Sequence, residues 1–341
     1  MPSLRSVLPS FLSSLPSLIP LLIMPFLLFA TAVLAVFLAT PMTDAGFVAF
    51  EDSSSLTNSF FFIVMLLFFT GILLILIHYK LEVIIRLIIL ASLFFSYIYV
   101  FSAILFLFDF SVSFVPLVPI LGTVLAGCAT VLLLRFPEWY VIDVLGVLLA
   151  GGIASIFGIS LEPLPVIVLL VLLAVYDAIS VYRTKHMLTL ANGVMQQKVP
   201  IMVIAPKKRN YSFIKEGFES IKPKDSSSSS SPPSSSSASS FLATESSSSE
   251  PSFAHNRAAY LMGLGDLIMP TVLVVSAAVF VPGGGIGIFS LCSITTLIGS
   301  LIGLCLLMSF VQRGSAHAGL PPLNGGAIIG FLIGMILIYG L

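Results

Sequence analysis

Charge is what this chain has least of. Across 341 residues only 9% are charged against 58% apolar, and the mean hydropathy is +1.13. So little charge cannot cover an apolar surface with polar groups. That excludes a water-soluble globular domain and makes lipid the solvent. Acidic and basic residues number 15 each, so no net charge recruits nucleic acid. Cysteine is scarce too. Cys128, Cys292 and Cys305 lie in apolar runs without CxxC spacing, which excludes a disulfide frame or a thiolate metal site. No HExxH motif is present for zinc hydrolysis, and no GxSG with a companion histidine for a serine nucleophile. The four histidines, His78, His186, His255 and His317, fall in loops or at helix ends. Neither a metal nor a cofactor is called for, and nothing requires accessory subunits; an oligomer stays open.

What is present in abundance is apolar runs of spanning length. They lie near 18–39, 59–77, 83–108, 112–134, 140–160, 164–182, 260–281, 287–311 and 320–341. These predict an all-α membrane protein, a polytopic bundle of nine transmembrane helices. The first run follows Arg5 but has spanning length and leads into eight more, so it reads as an anchor and not a cleaved signal.

Lysine and arginine gather on the cytoplasmic side of membrane proteins. With the N-terminus inside, the inner segments carry Arg5, Lys80, Arg86, Arg135, the basic residues between Arg183 and Arg257, and Arg313. The outer loops hold Asp44, Glu51, Asp52, Asp109 and Glu162 and no basic residue at all. This predicts an N-in, C-out chain. It would sit in the cell membrane of a prokaryote or an endomembrane of a eukaryote.

Three parts follow: 1–182 with six helices, a cytoplasmic loop over 183–259, and 260–341 with three helices. Serine dominates the middle of the loop, and such a tract cannot bury enough apolar area to fold, so disorder is expected over about 217–252. Before it, the short β-branched run between Lys198 and Lys207 reads as a strand.

Of the acidic residues, only Asp177 and Asp266 read as lying clearly inside apolar helices. An aspartate at mid-span costs about 2.5–3.5 kcal/mol on insertion scales, so neither is there for stability. Asp177 lies six residues before Arg183 and Asp266 nine after Arg257. At about 1.5 Å per residue the two depths agree to within a helical turn. No intramembrane cation is available to either, so two neighbouring carboxyls would share one proton. Such a pair can activate water for attack on a carbonyl. Intramembrane carboxyls also serve ion and proton transport, and spacing alone does not separate the two uses.

The surrounding residues do. Tyr176-Asp177, then Gly263-Leu264-Gly265-Asp266, then Leu320-Pro321-Pro322-Leu323 occur in this order on helices six, seven and nine. The set resembles presenilins and signal peptide peptidases, the GxGD intramembrane aspartyl proteases, and is most similar to prokaryotic presenilin homologues. The resemblance implies a proteolytic Asp177–Asp266 dyad and substrates that are transmembrane helices of other proteins in the bilayer. It also implies site-shaping roles for Tyr176, Gly263, Leu264, Gly265, Pro321, Pro322 and Leu323. Pro322 stands where the family usually has alanine.

Gly263 and Gly265 would let another backbone approach Asp266, and Pro270 would leave its carbonyl without a helix partner. Tyr176 is read either as a hydrogen-bond donor or as packing, and Gly325 and Gly326 as sites of close helix contact. A helical substrate must unwind to be cut, so residues 200–206 are expected to offer a strand edge to it. Two alternatives remain. A prepilin-peptidase-like enzyme shares GxGD but has a lysine soon after the aspartate, where this chain has Leu267-Ile268-Met269-Pro270. A proton- or ion-coupled transporter would be favoured by an inverted repeat, which is not evident.

Overall fold

The computed structural model describes residues 4–50, 52–107, 117–180, 202–206, 259–281, 283–312 and 319–340. Six helices come first: α1 (Leu4–Asp44), α2 (Leu56–His78), α3 (Glu82–Leu107), α4 (Leu117–Arg135), α5 (Trp139–Ser160) and α6 (Pro163–Ile179). Then come strands β1 (Met202–Pro206) and β2 (Ala259–Gly263), helix α7 (Leu264–Phe280), and strands β3 (Gly285–Ile286) and β4 (Phe289–Ser290). Helices α8 (Leu291–Gln312) and α9 (Leu320–Tyr339) close the series.

Each expected apolar run forms a helix among the described residues, and two small antiparallel ribbons amend the all-α expectation. Helix one extends well beyond the expected run, from Leu4 to Asp44, and at helix seven the shift in boundary changes the type of element. Residues 260–263, expected inside helix seven, belong to strand β2, and the helix starts at Leu264. Apolar periodicity does not separate a short buried strand from a helix end, and here β1 supplies the pairing. Gly263 closes β2 in an extended conformation (φ −67°, ψ 143°) and serves as the N-cap of α7. Helix eight likewise begins late, after a hairpin that turns at Gly287 with φ 62°. The serine tract and most of the 183–259 loop lie outside the described residues.

Among the described residues, seven helices are apolar and long enough to cross a membrane. The other two, α6 and α7, have 17 residues each. That is about 26 Å of rise, short of the roughly 30 Å hydrocarbon core. These two carry Asp177 and Asp266.

Lipid gives helices no hydrophobic reason to associate, so close backbone contact and hydrogen bonds must hold them. Helix α5 supplies the central post. Gly151 faces Leu34 of α1, Gly152 faces Val100 of α3, and Gly158 faces Val275 of α7. At one end, the Ser59 hydroxyl donates to the Pro165 carbonyl at 2.7 Å and the Ser276 hydroxyl to the Leu161 carbonyl at 2.6 Å, tying α2 to the start of α6 and α7 to the turn between α5 and α6. Helices α8 and α9 meet backbone to backbone. A Cβ on Gly299 would overlap the Gly326 carbonyl oxygen, one on Gly330 the Thr295 carbonyl oxygen, and one on Gly303 would lie 2.5 Å from the Pro322 carbonyl oxygen. Gly326 therefore has the expected close contact. Gly325, one residue round the helix, has nothing within 4 Å, which corrects its assignment.

The β1–β2 ribbon pairs Met202 with Gly263, Ile204 with Leu261 and Pro206 with Ala259. The strand expected over 200–206 is thus present from Met202, with residues 200 and 201 outside the described set. It does not offer a free edge. One side is taken by β2, and on the other the Ile204 N–H is used by Asp143 of α5.

Enlarging Gly299 to leucine should force α8 and α9 apart at a cost of about 1–3 kcal/mol. Gly325→Ala should leave stability unchanged or raise it by up to about 1 kcal/mol. Thermal unfolding in detergent measures both; equal unfolding temperatures for the two variants would contradict the packing described.

Candidate active site

Asp177 stands two residues before the end of α6 and is 4% exposed. A carboxyl so placed needs a donor, and the start of α9 provides it: the Leu320 N–H donates to Asp177 Oδ2 at 3.1 Å. The reason lies in the sequence of that turn. The first N–H groups of a helix have no partner within it, and Pro321 and Pro322 have no N–H to offer. Leu320 is therefore the donor among the first three residues of α9, and the positive end of the helix dipole favours the acid. Pro322 in place of alanine removes an N–H that the helix does not use, so it costs α9 no hydrogen bond. Its carbonyl rests on Gly303, and Leu323 beyond it is fully buried in the core.

Asp266 is the third residue of α7, in the first turn, where an acidic side chain is favoured by the dipole. A Cβ built on Gly263 would stand 3.6 Å from Asp266 Oδ2, and one on Gly319 would stand 3.7 Å from the same atom. Gly319 adjoins Leu320, so both carboxyls converge on one peptide step at the entrance to α9, and they interact electrostatically. The two acids, expected to be neighbours from their residue offsets, are brought to the same place.

The remaining residues divide. Leu264 is buried and abuts Gly146 of α5, where a Cβ would lie 3.0 Å from Leu264 Cδ2; it anchors the start of α7. Gly265 is exposed and has open space where its side chain would be. Tyr176 is half-buried, and its hydroxyl makes no hydrogen bond among the described residues, which favours the packing reading. Pro321 is half-buried beside the Leu320 donor. Pro270 lies inside α7 and has no N–H to give, so the Asp266 carbonyl lacks its partner one turn on, while the helix continues through the proline. Asn324, one turn into α9, donates to the Leu170 carbonyl at 3.2 Å and fastens α9 to α6 above the dyad.

Sequence reasoning missed Leu320 and Gly319 as donor and spacer, because a backbone contribution leaves no side-chain signature. It also missed Asp143, a buried acid in α5 that its nearness to the helix start had caused to be grouped with end residues.

Residues 25–339 match the family described as signal-peptide peptidase, presenilin aspartyl protease. The chain belongs to that family. A solved structure of a presenilin family intramembrane aspartate protease, in space group C222, is 39% identical, with 93% of this chain and 99% of that chain covered and a TM-score of 0.63. A second structure so described, in space group P2, is 40% identical, covering 93% and 98% of the two chains with a TM-score of 0.62. No curated protein matches. As a member of the presenilin and signal-peptide peptidase family the chain is an intramembrane aspartyl protease, a hydrolase of peptide bonds. Its several apolar helices make it an integral membrane protein. The transporter and prepilin-peptidase readings give way to this one.

The open space at Gly265 adjoins Asp266 in the chain, and its use by a substrate backbone can be tested. Gly265→Ala, whose Cβ would meet nothing within 4 Å, should unfold at the temperature of the parent or above, while cleavage of a transmembrane peptide falls by about tenfold, as misplacement near reacting atoms costs up to about 10²-fold. Parent-like cleavage would show that the space is not used.

Proposed function

We propose that Asp177 and Asp266 are the catalytic pair, hydrolysing peptide bonds within transmembrane helices of other membrane proteins. The observation that carries this is the convergence of both carboxyls on the Gly319–Leu320 step. A single proton shared between them leaves one carboxylate to take a proton from water and one carboxylic acid to donate to the carbonyl oxygen under attack. The tetrahedral diol then collapses with proton transfer to the leaving nitrogen, without a covalent intermediate. The dyad titrates as a unit, so the two roles belong to the pair.

Substrate enters as an extended strand against β2. In an antiparallel ladder, directly opposed residues turn their N–H and C=O groups the same way, both toward each other or both away. Ile204 turns its N–H to Asp143, so its opposite, Leu261, turns its N–H and C=O away from β1. That outer edge of β2 runs into Gly263 and Asp266. A strand added there would bring an unwound peptide to the dyad. Tyr176, Gly263, Leu264, Gly265, Pro321, Pro322 and Leu323 shape the site around it.

The short α6 and α7 fit a site reached from water at one membrane face. The loop charges favour the cytoplasmic face for it, with nine spans, the N-terminus inside and the C-terminus outside. The organisation into 1–182, 183–259 and 260–341 then places the long loop on the same side as the dyad.

Purified protein with a labelled transmembrane peptide tests the reading. Asp177→Ala and Asp266→Ala should each lose cleavage by about 10²-fold or more; cleavage by all three proteins alike would end it. Leu261→Pro removes the outward N–H but no β1–β2 bond, and should weaken cleavage while the protein still folds. Full activity in that variant would remove the strand-addition step and leave the dyad untouched.

A further inference from the structure

Asp143 lies in the second turn of α5, is 4% exposed, and is not part of the dyad. A carboxyl at this depth has to be answered by a local donor. Its Oδ1 accepts the Ile204 N–H at 2.8 Å. That N–H is one the β1–β2 ladder leaves over, so Asp143 takes the place of a third strand on the inner side of the ribbon. One turn further along α5, Gly146 lets the ribbon and α7 come close: a Cβ there would lie 3.0 Å from Leu264 Cδ2 and 3.9 Å from Val203 Cγ2. The same face of α5 thus holds β1 by a hydrogen bond and the first residue of α7 by packing. Val203, Ile204 and Ala205 are all buried behind it.

From these contacts we infer that Asp143 is a positioning residue: its carboxyl oxygen moors β1 to α5, and through β2 and Gly263 sets the placement of Asp266. The inference rests on the proteolytic reading for its effect on activity. The path is short and continuous. Ile204 lies opposite Leu261, two residues on is Gly263, and Gly263 both ends the strand and caps the helix that carries Asp266. Freeing β1 from α5 leaves an unpaired N–H in the interior and lets the ribbon slide along the helix, and Asp266 and the outer edge of β2 move with it. Asp143 needs only an oxygen acceptor for this task, not a charge, which separates it from the dyad.

Two measurements on the purified full-length protein test it. Amide hydrogen exchange at Ile204 should be slow in the parent and in Asp143→Asn, whose carboxamide oxygen can still accept, and fast in Asp143→Ala while α5 and α7 stay protected. In peptide cleavage, Asp143→Asn should keep turnover near that of the parent, and Asp143→Ala should lose kcat by up to about 10²-fold. Asp143→Ala with parent-like exchange and turnover would overturn the inference, as would Asp143→Asn behaving like the alanine variant. If the alanine variant fails to fold, Asp143→Asn decides: slow exchange with retained turnover supports the mooring, and loss of either overturns it. Exchange needs no activity. A parent that cleaved nothing would end the proteolytic reading and leave the exchange result standing.

Discussion

An acidic side chain at membrane depth must find donors in an apolar medium, and the backbone of an intact helix has none to give. Free N–H groups occur only at helix starts and in irregular segments, which hydrocarbon tolerates only where they are buried or border a wet space. The bond from the Leu320 N–H to Asp177 meets this constraint. It requires the end of α6 and the start of α9 to meet at one point. Gly319, which lies beside Asp266, brings the start of α7 to the same place. Three broken helix ends are thus the condition for holding two acids together, and the shortness of α6 and α7 is a consequence of it.

Each of these ends is held by a different device. The start of α9 is set by α8, through glycine backbones in contact at Gly299, Gly303, Gly326 and Gly330. The middle of α6 is braced from α9 by Asn324, a turn beyond the Leu320 donor, and hydroxyl groups tie its far end to α2 and the turn before it to α7. The start of α7 has no helix before it and is set by the β1–β2 ribbon lying on α5. Small residues allow rigid contact without a hydrophobic drive, whereas the ribbon is held by hydrogen bonds that a neighbouring acid completes. The two carboxyls therefore rest on supports of different kinds.

Much of this was legible in the residues themselves. Each of the nine apolar runs forms a helix among the described residues, because the need to satisfy the backbone in lipid leaves few other choices. The two aspartates stood out because burying an acid in a span is costly without a use for it. Less legible were the features that arise from pairing across the chain. Residues 259–263 are as apolar as a helix end, and only β1, more than fifty positions earlier, makes them a strand. The same pairing covers one edge of the segment around Val203 and turns the outer edge of β2 at Leu261 away from β1. Asp143 was hidden by its place near a helix start, where an acid is ordinarily solvated. Gly325 and Gly326 look alike in sequence, and only the direction of α9 relative to α8 separates the one that is packed from the one that is open.

Gly263 belongs at once to the strand and to the helix. It closes β2, caps α7 and lies against Asp266. On the proposed strand addition, a peptide paired with the outer edge of β2 would engage the same unit that carries one of the two acids, and recognition and chemistry would share a single backbone. Such recognition is made largely through main-chain groups, which every peptide possesses. It selects less by side-chain identity than by readiness to leave the helical state, since a helix keeps its own N–H and C=O groups occupied. The unwinding cost of a substrate helix then becomes the principal term separating good substrates from poor ones.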